Sequence, residues 1–255
     1  KHDVVLFCRL TNNEFDLCKT IISPKRYKNN ILQTLSVILV FISLIFHANK
    51  VFKFYKLERK SKSSLVNTLA KIYFNANFFK IKLDWLHFGF GTLAIDRENI
   101  AKAINSKMAV SFRGFDIGVY PLKHPDCYHL LWKKVDKIHV ISDDIKDLIY
   151  KHGFKGQVPV IKITPALDTT FFKNNHEKKY NKIPHFMTVA RLHWKKGVDY
   201  TLEALALLKQ QGIKFKYTII GDGPQEEYLK FLTHQLNLKS FVTFVGKLTN
   251  DQIKV

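Results

Sequence analysis

The stretch 185–197, HFMTVARLHWKKG, decides the fold. His185–Ala190 is a short apolar run of strand type. Val198–Gln211 then places Val198, Leu202, Leu205 and Leu208 on one helical face, with Gly212 as a stop. A strand therefore ends at Arg191 and a helix begins just past Lys196. The first turn of a helix carries unpaired N–H groups and the positive end of the dipole, which favour an anion. An Arg fork and a Lys point charge beside that turn suit a diphosphate; a basic surface loop is the plainer explanation.

Outward toward the C-terminus the alternation continues. Lys216–Ile220 reads as a strand, Gly221-Asp222-Gly223-Pro224 as a turn, Gln225–Asn237 as a helix and Phe241–Val245 as a strand ending at Gly246. Another helix opens at Asn250. The glycines permit a tight turn and close backbone approach to a ligand, although turn formation alone explains them. Arg191, Gly221, Gly223, Val245 and Gly246 all fall at carboxyl ends of strands, the edge where open α/β sheets bind ligands.

Toward the N-terminus, Asp3–Cys8, Leu83–Phe88, Met108–Phe112, Lys137–Ile141 and Val158–Ile163 read as strands separated by helical patterns. Such alternation predicts a parallel sheet with helices on both faces. Thr164-Pro165 ends the fifth strand, and the polar stretch 173–184, KNNHEKKYNKIP, reads as a linker. The expected organisation is a Rossmann-like domain over 1–164, a linker over 165–184 and a partial second domain over 185–255 that stops after three strands. The chain opens with Lys1 rather than Met and reads as a piece of a longer protein.

Composition narrows the function. The 255 residues are 46% hydrophobic and 24% charged, which is globular and neither disordered nor collagen-like. Lys plus Arg number 41 against 21 acidic residues, a net +20 that favours an anionic partner. Cys8, Cys18 and Cys127 form no C-x-x-C pair, so no disulfide framework is expected and a reducing compartment is favoured. His124, Asp126, Cys127 and His129 lie close together, but their spacing matches no standard metal site. No G-x-G-x-x-G follows a strand, which argues against a dinucleotide oxidoreductase. Nucleic-acid binding would rest on charge alone. Leu35–Phe46 is apolar except for Ser36 and Ser43, yet shorter than the roughly 20 residues of a spanning helix. Residues 49–82 hold nine Lys or Arg against Glu58 alone, a solvated helix face or a contact with an anionic surface.

These segments together resemble glycosyltransferase family 4 (group 1), of the exopolysaccharide or colanic-acid type. R-L-x-x-x-K-G at 191–197, I-I-G-D-G-P at 219–224 and F-V-G at 244–246 carry the resemblance. Upstream, Val140-Ile141-Ser142, the P-x-x-D-x-x-x-F segment from Pro165 through Asp168 to Phe172, S-F-R-G-F-D at 111–116 and D-W-L-H-F-G at 84–89 are similar to the family's segments. The likeness runs from about residue 84 to 255. It implies a GT-B arrangement of two Rossmann-like domains, the second truncated here, with a nucleotide-sugar donor in the cleft and retaining transfer by a hexosyltransferase-type enzyme. It implies Arg191 and Lys196 as donor diphosphate ligands and Gly221, Gly223, Val245 and Gly246 as the nucleotide-side lining. Arg113 and Asp116 would be catalytic, and His87 would lie on the acceptor side. Arg113 stands where the family usually has His; it binds phosphate but is a poor proton shuttle, being always charged.

No D-x-D triplet occurs, and neither a metal nor another cofactor is expected. The implied partners are a nucleotide sugar, a glycan or lipid-linked acceptor and an anionic membrane surface, with no specific nucleic acid. The implied location is cytoplasmic, peripheral on the inner face of the cytoplasmic membrane. The family's E-x7-E donor segment would follow residue 255, so the 255-residue piece is expected to be inactive alone. The alternative function is a non-catalytic basic α/β module on anionic membrane or nucleic acid.

Overall fold

Alternate strand residues sort onto two faces, and only one face is apolar throughout. In Trp85–Phe88 the side chains of Leu86 and Phe88 are buried while Trp85 and His87 are exposed. Lys137–Val140 repeats the pattern with Ile138 and Val140 inside. The computed structural model describes residues 3–8, 18–172 and 182–253. The chain divides into two units, Lys1–Pro165 and Ala166–Val255. Of the linker read at 165–184, residues 173–181 lie outside the described residues.

Among the described residues the first unit holds six strands: β1 (Val5–Cys8), β2 (Lys19–Ile22), β3 (Trp85–Phe88), β4 (Lys107–Phe112), β5 (Lys137–Val140) and β6 (Val160–Lys162). They form two sheets instead of the single one expected from the sequence. β1 pairs in parallel with β2, and β3-β4-β5-β6 form a parallel four-stranded sheet in that order. β2 escaped the sequence reading because K-T-I-I offers only two consecutive large apolar residues.

Helices α1 (Asn30–Ser43), α2 (Ala48–Lys60) and α3 (Leu65–Phe74) join β2 to β3 with a short helix, Ala76–Phe79. The core gathers Phe54, Ile72 and Phe79 from this helical segment against Leu86, Phe88, Met108, Val110, Ile138 and Val140 from the sheet. At about 25 cal/mol per Å² of apolar surface removed from water, such side chains are the main source of the unit's stability. Helices thus cover one face of the four-stranded sheet. The other face, with Trp85, His87, Lys137 and His139 at the alternate positions, is open among the described residues. Among the described residues no helix covers this face, contrary to the expectation of helices on both, because those alternate positions are polar or amphipathic rather than apolar.

One buried ion pair locks α2 to α3. Glu58, 1% exposed, takes Lys71 Nζ at 2.8 Å and the Asn99 side-chain amide at 2.8 Å; Lys71 also reaches Asp96 at 2.9 Å. Burial works against the Lys71 charge, but the bonds to Glu58 and Asp96 outweigh it and raise its pKa.

The second unit carries β7 (His185–Val189), β8 (Lys216–Ile220) and β9 (Val242–Gly246), parallel in the order β7-β8-β9. Helices Val198–Gln210 and Glu226–Gln235 pack Leu202, Leu205 and Leu229 on Tyr217 and Ile219 of the central strand. Met187 and Val189 of β7 remain exposed.

Candidate functional site: strand-end loops in each unit

In the second unit the three strand ends are laced together through the backbone. The Leu192 N–H donates to the Asp222 carbonyl at 2.7 Å, Gln225 N–H to the Leu192 carbonyl at 3.2 Å, and Gly221 N–H to the Gly246 carbonyl at 2.8 Å. Gly221 at φ +140° and Gly223 at φ +155° make this possible. A Cβ at Gly221 would collide with the Ala190 carbonyl oxygen, and one at Gly223 with that of Leu192. The close approach that these glycines permit is therefore to the chain's own loop at 190–192.

Leu192 is fully buried and anchors the loop from below. Arg191, immediately before it, is exposed. Lys196, also exposed, ends the one-turn 3-10 helix Trp194–Lys196. Gly197 then leads into Val198–Gln210, a helix whose N-terminus receives no side-chain cap. Two exposed cations thus precede, along the chain, a helix start that has no side-chain cap, and the free N–H groups of a first helical turn suit an anion. Val245 is exposed and Gly246 half-buried at the end of β9.

In the first unit the corresponding loops meet on a carboxylate. Asp116 has no exposed surface. Its Oδ2 accepts from Gly91 N–H at 2.9 Å, and its Oδ1 from Arg113 N–H at 3.0 Å and Gly114 N–H at 2.9 Å. The Tyr128 hydroxyl donates to the Asp116 carbonyl at 2.6 Å, and burial pushes the pKa of that phenol far up. In this arrangement Asp116 positions the loops that follow β3 and β4. Arg113, at the end of β4, is exposed.

His87 belongs to an array that spans three strands. His87 Nε2 lies 2.7 Å from Ser111 Oγ, Ser111 Oγ 2.8 Å from His139 Nδ1, and His139 Nε2 3.0 Å from the Ile163 carbonyl. A carbonyl only accepts, so His139 donates through Nε2 and, in the neutral ring, accepts at Nδ1 from Ser111. Ser111 in turn accepts from His87 Nε2–H. The array and Arg113 line a groove of about 410 Å³ on the open sheet face. Burial, then the charges of His139 and Arg113, lower the His87 pKa. The sequence reading had His87 and missed His139. The signal was the matched alternation of W-L-H-F and K-I-H-V, which places both imidazoles on one face.

Elsewhere, Asp168 closes a turn, accepting from Thr170 Oγ1 at 2.6 Å, Thr170 N–H at 2.9 Å and Phe171 N–H at 3.1 Å; these bonds lower its pKa. The His124 ring stacks on Tyr120 at 4.3 Å, and His129 lies 3.0 Å from the Asp126 carbonyl.

Residues 168–255 match the family described as glycosyl transferases group 1. A protein of Escherichia coli K12 named as a colanic acid biosynthesis glycosyltransferase (WcaL) is 31% identical over 172 residues, 66% of this chain and 42% of that protein. The amylovoran biosynthesis glycosyltransferase AmsK of Erwinia amylovora is 27% identical over 197 residues, 76% of this chain and 48% of that protein. The chain thus spans less than half the length of these curated relatives. Among solved structures, Anabaena HepE in complex with UDP and glucose superposes with a TM-score of 0.55 at 12% identity, covering 91% of this chain and 57% of that one. At that identity the likeness establishes the fold, α/β with the Rossmann-like units of the GT-B glycosyltransferases. These likenesses do not favour a non-catalytic basic module. Residues 168–255 are thus similar to the glycosyl transferases group 1 family, and over a longer stretch the chain is similar to glycosyltransferases named for colanic acid and amylovoran biosynthesis.

Proposed function

We propose that the protein is a retaining glycosyltransferase that moves a sugar from a nucleotide-sugar donor to a glycan or glycolipid acceptor in the assembly of a surface polysaccharide. The observation that carries the reading is the connection from β7 to the following helix. It carries the exposed Arg191 and Lys196 and leads into an N-terminus without a side-chain cap, and the glycine-permitted bonds to Asp222 and Gln225 brace it. The family assignment of residues 168–255 and the names of the relatives support the reaction class.

When the bond between the sugar C1 and the diphosphate breaks, its electron pair moves to the leaving phosphate oxygen. Fixed cations and outward amides stabilise that growing charge more than the ground state. The acceptor hydroxyl oxygen forms the new bond to C1, and its proton leaves with the diphosphate or to water. Arg113 and His87 face the groove of the first unit, where we place the acceptor. No metal or other cofactor enters this reading.

The test is calorimetric titration of the full-length protein with a nucleoside diphosphate and with nucleotide sugars, alongside an assay of sugar transfer. Arg191→Ala with Lys196→Ala removes two charge-assisted contacts of about 1.5–3 kcal/mol each. Diphosphate affinity should therefore fall at least 100-fold and transfer should be lost. Unchanged affinity in the double variant would overturn the diphosphate assignment.

A further inference from the structure

The open face of the four-stranded sheet carries positive charge at both ends of its groove. Lys107 and Lys137 stand where β4 and β5 begin, and their ammonium groups lie 5.6 Å and 5.2 Å from the centre of the Trp85 ring. Arg113 stands at the other end, just beyond β4. Lys137 opposes Ala109, and from that level to Arg113 the strand rises about 13 Å. Among the described residues none of these three cations makes an ion pair. No Asp or Glu lines the groove. Asp136, next in sequence to Lys137, accepts instead from Met108 N–H at 2.7 Å.

Between these ends the groove is built for hydroxyl groups. His87 donates through Nε2 to Ser111, so its neutral ring keeps a lone pair on Nδ1 that no group among the described residues takes. That nitrogen accepts from a hydroxyl. Trp85, 41% exposed, and Ile161 and Ile163 add apolar surface of the kind that meets the C–H face of a sugar ring.

The backbone says which anion suits the cations. A phosphate is best served by free N–H groups at a helix start or in a loop nest. The amides beneath this groove are tied up in the ladders that join β3, β4 and β5. Single ammonium and guanidinium groups remain, and each matches a carboxylate. A cleft lined by one sign of charge also concentrates such a ligand before it binds.

We propose that this groove selects an acidic glycan as acceptor, its carboxylates drawn to Lys107, Lys137 and Arg113 and its hydroxyls to His87. Calling that glycan the acceptor rests on the sugar-transfer reading; the preference for a carboxylate does not, since neither Arg191 nor Lys196 takes part.

The experiment is calorimetric titration of the full-length protein with cellobiouronic acid and with cellobiose, which differ by one carboxylate. The acid should bind about tenfold more tightly, as a charge-assisted contact implies, and the ratio should shrink with added salt. Lys107→Gln with Lys137→Gln should lower that ratio about fivefold, on the same reasoning. Lys107→Arg with Lys137→Arg should keep it, so a folding defect in the glutamine pair leaves the test intact. Both pairs should leave the circular dichroism melt and nucleoside diphosphate affinity in place. Equal binding of the two disaccharides, or a preference that survives the glutamine pair, would overturn the proposal. So would tighter binding of cellobiose phosphorylated at the same carbon, or displacement of the acid by a short oligonucleotide, which would make the groove a phosphate site. Nucleoside diphosphate binding that needs Arg191 and Lys196, without a preference for the acid, would uphold the sugar-transfer reading and overturn this one; the preference without diphosphate binding would do the reverse.

Discussion

In the first unit the loops beyond β3 and β4 converge on one side chain, the Asp116 carboxylate, which accepts from three backbone amides. In the second unit the loops beyond β7, β8 and β9 meet backbone to backbone, and glycine makes the approach possible. Both solutions pair polar groups that would otherwise be orphaned at strand ends. They differ in what a mutation can remove. A side-chain clamp fails when its acceptor is lost; a backbone clamp fails when a side chain is added.

The largest effect is therefore expected at Asp116. Asp116→Ala leaves three amides without their acceptor, one of them the buried Gly91 N–H, and should cost about 4 kcal/mol at 1–3 kcal/mol per group with partial rescue by water. Asp116→Asn should cost less, since its one carbonyl oxygen still serves Arg113 and Gly114 while its amide faces the Gly91 N–H. Urea unfolding of the three proteins checks the order; an alanine variant as stable as the parent would show that the clamp contributes nothing.

Next comes Gly221→Ala. The new Cβ meets the Ala190 carbonyl, a backbone group that cannot swing aside, so the loss should be about 3 kcal/mol. Fluorescence of Trp194, the single tryptophan among residues 182–253, reports the unfolding of this unit. Gly114→Ala in the first unit is the matched control. Gly114 shares a positive φ of +136° but has nothing within 4 Å of a built Cβ, so backbone strain alone should cost about 1–2 kcal/mol. Equal losses at the two glycines would mean that φ, and not the close approach to Ala190, sets the requirement at Gly221.

The smallest effect is a pH dependence on the open face of the first sheet. The lowered His87 pKa means that the folded protein holds this imidazole neutral more strongly than the unfolded chain does. Its contribution is complete above the unfolded value near 6.5 and is lost as pH falls below it. The urea midpoint should drop between pH 7.5 and pH 5.5, and His87→Gln should flatten that slope. An unchanged slope in the variant would assign the dependence elsewhere.

Much of this architecture was legible from residue order. The strand Lys216–Ile220 was read with its observed ends, and His185–Ala190 and Val198–Gln211 each ran one residue past theirs. Those elements are short, strongly patterned and closed by glycine or proline. The apolar run Leu35–Phe46 was legible as a helix, but its start was not: Asn29 caps the helix through Ile31 and Leu32, and that bond shows only in three dimensions. The two-stranded sheet was not legible either, because pairing of β1 with β2 is a long-range choice that four-residue strands do not announce.

The sequence by itself determined that two α/β segments alternate strand and helix, that Arg191 and Lys196 fall at a strand-to-helix step, and that glycines follow the next strand. Period, turn chemistry and charge are local properties, and the chain carries them wherever it folds. Tertiary structure alone decided what those residues touch. It set Gly221 against Ala190, buried Asp116 under three amides, joined His87 to His139 through Ser111, and left the outer face of α1 in water. These outcomes depend on which distant backbones and side chains arrive at the same place, and spacing along the chain does not encode that arrival.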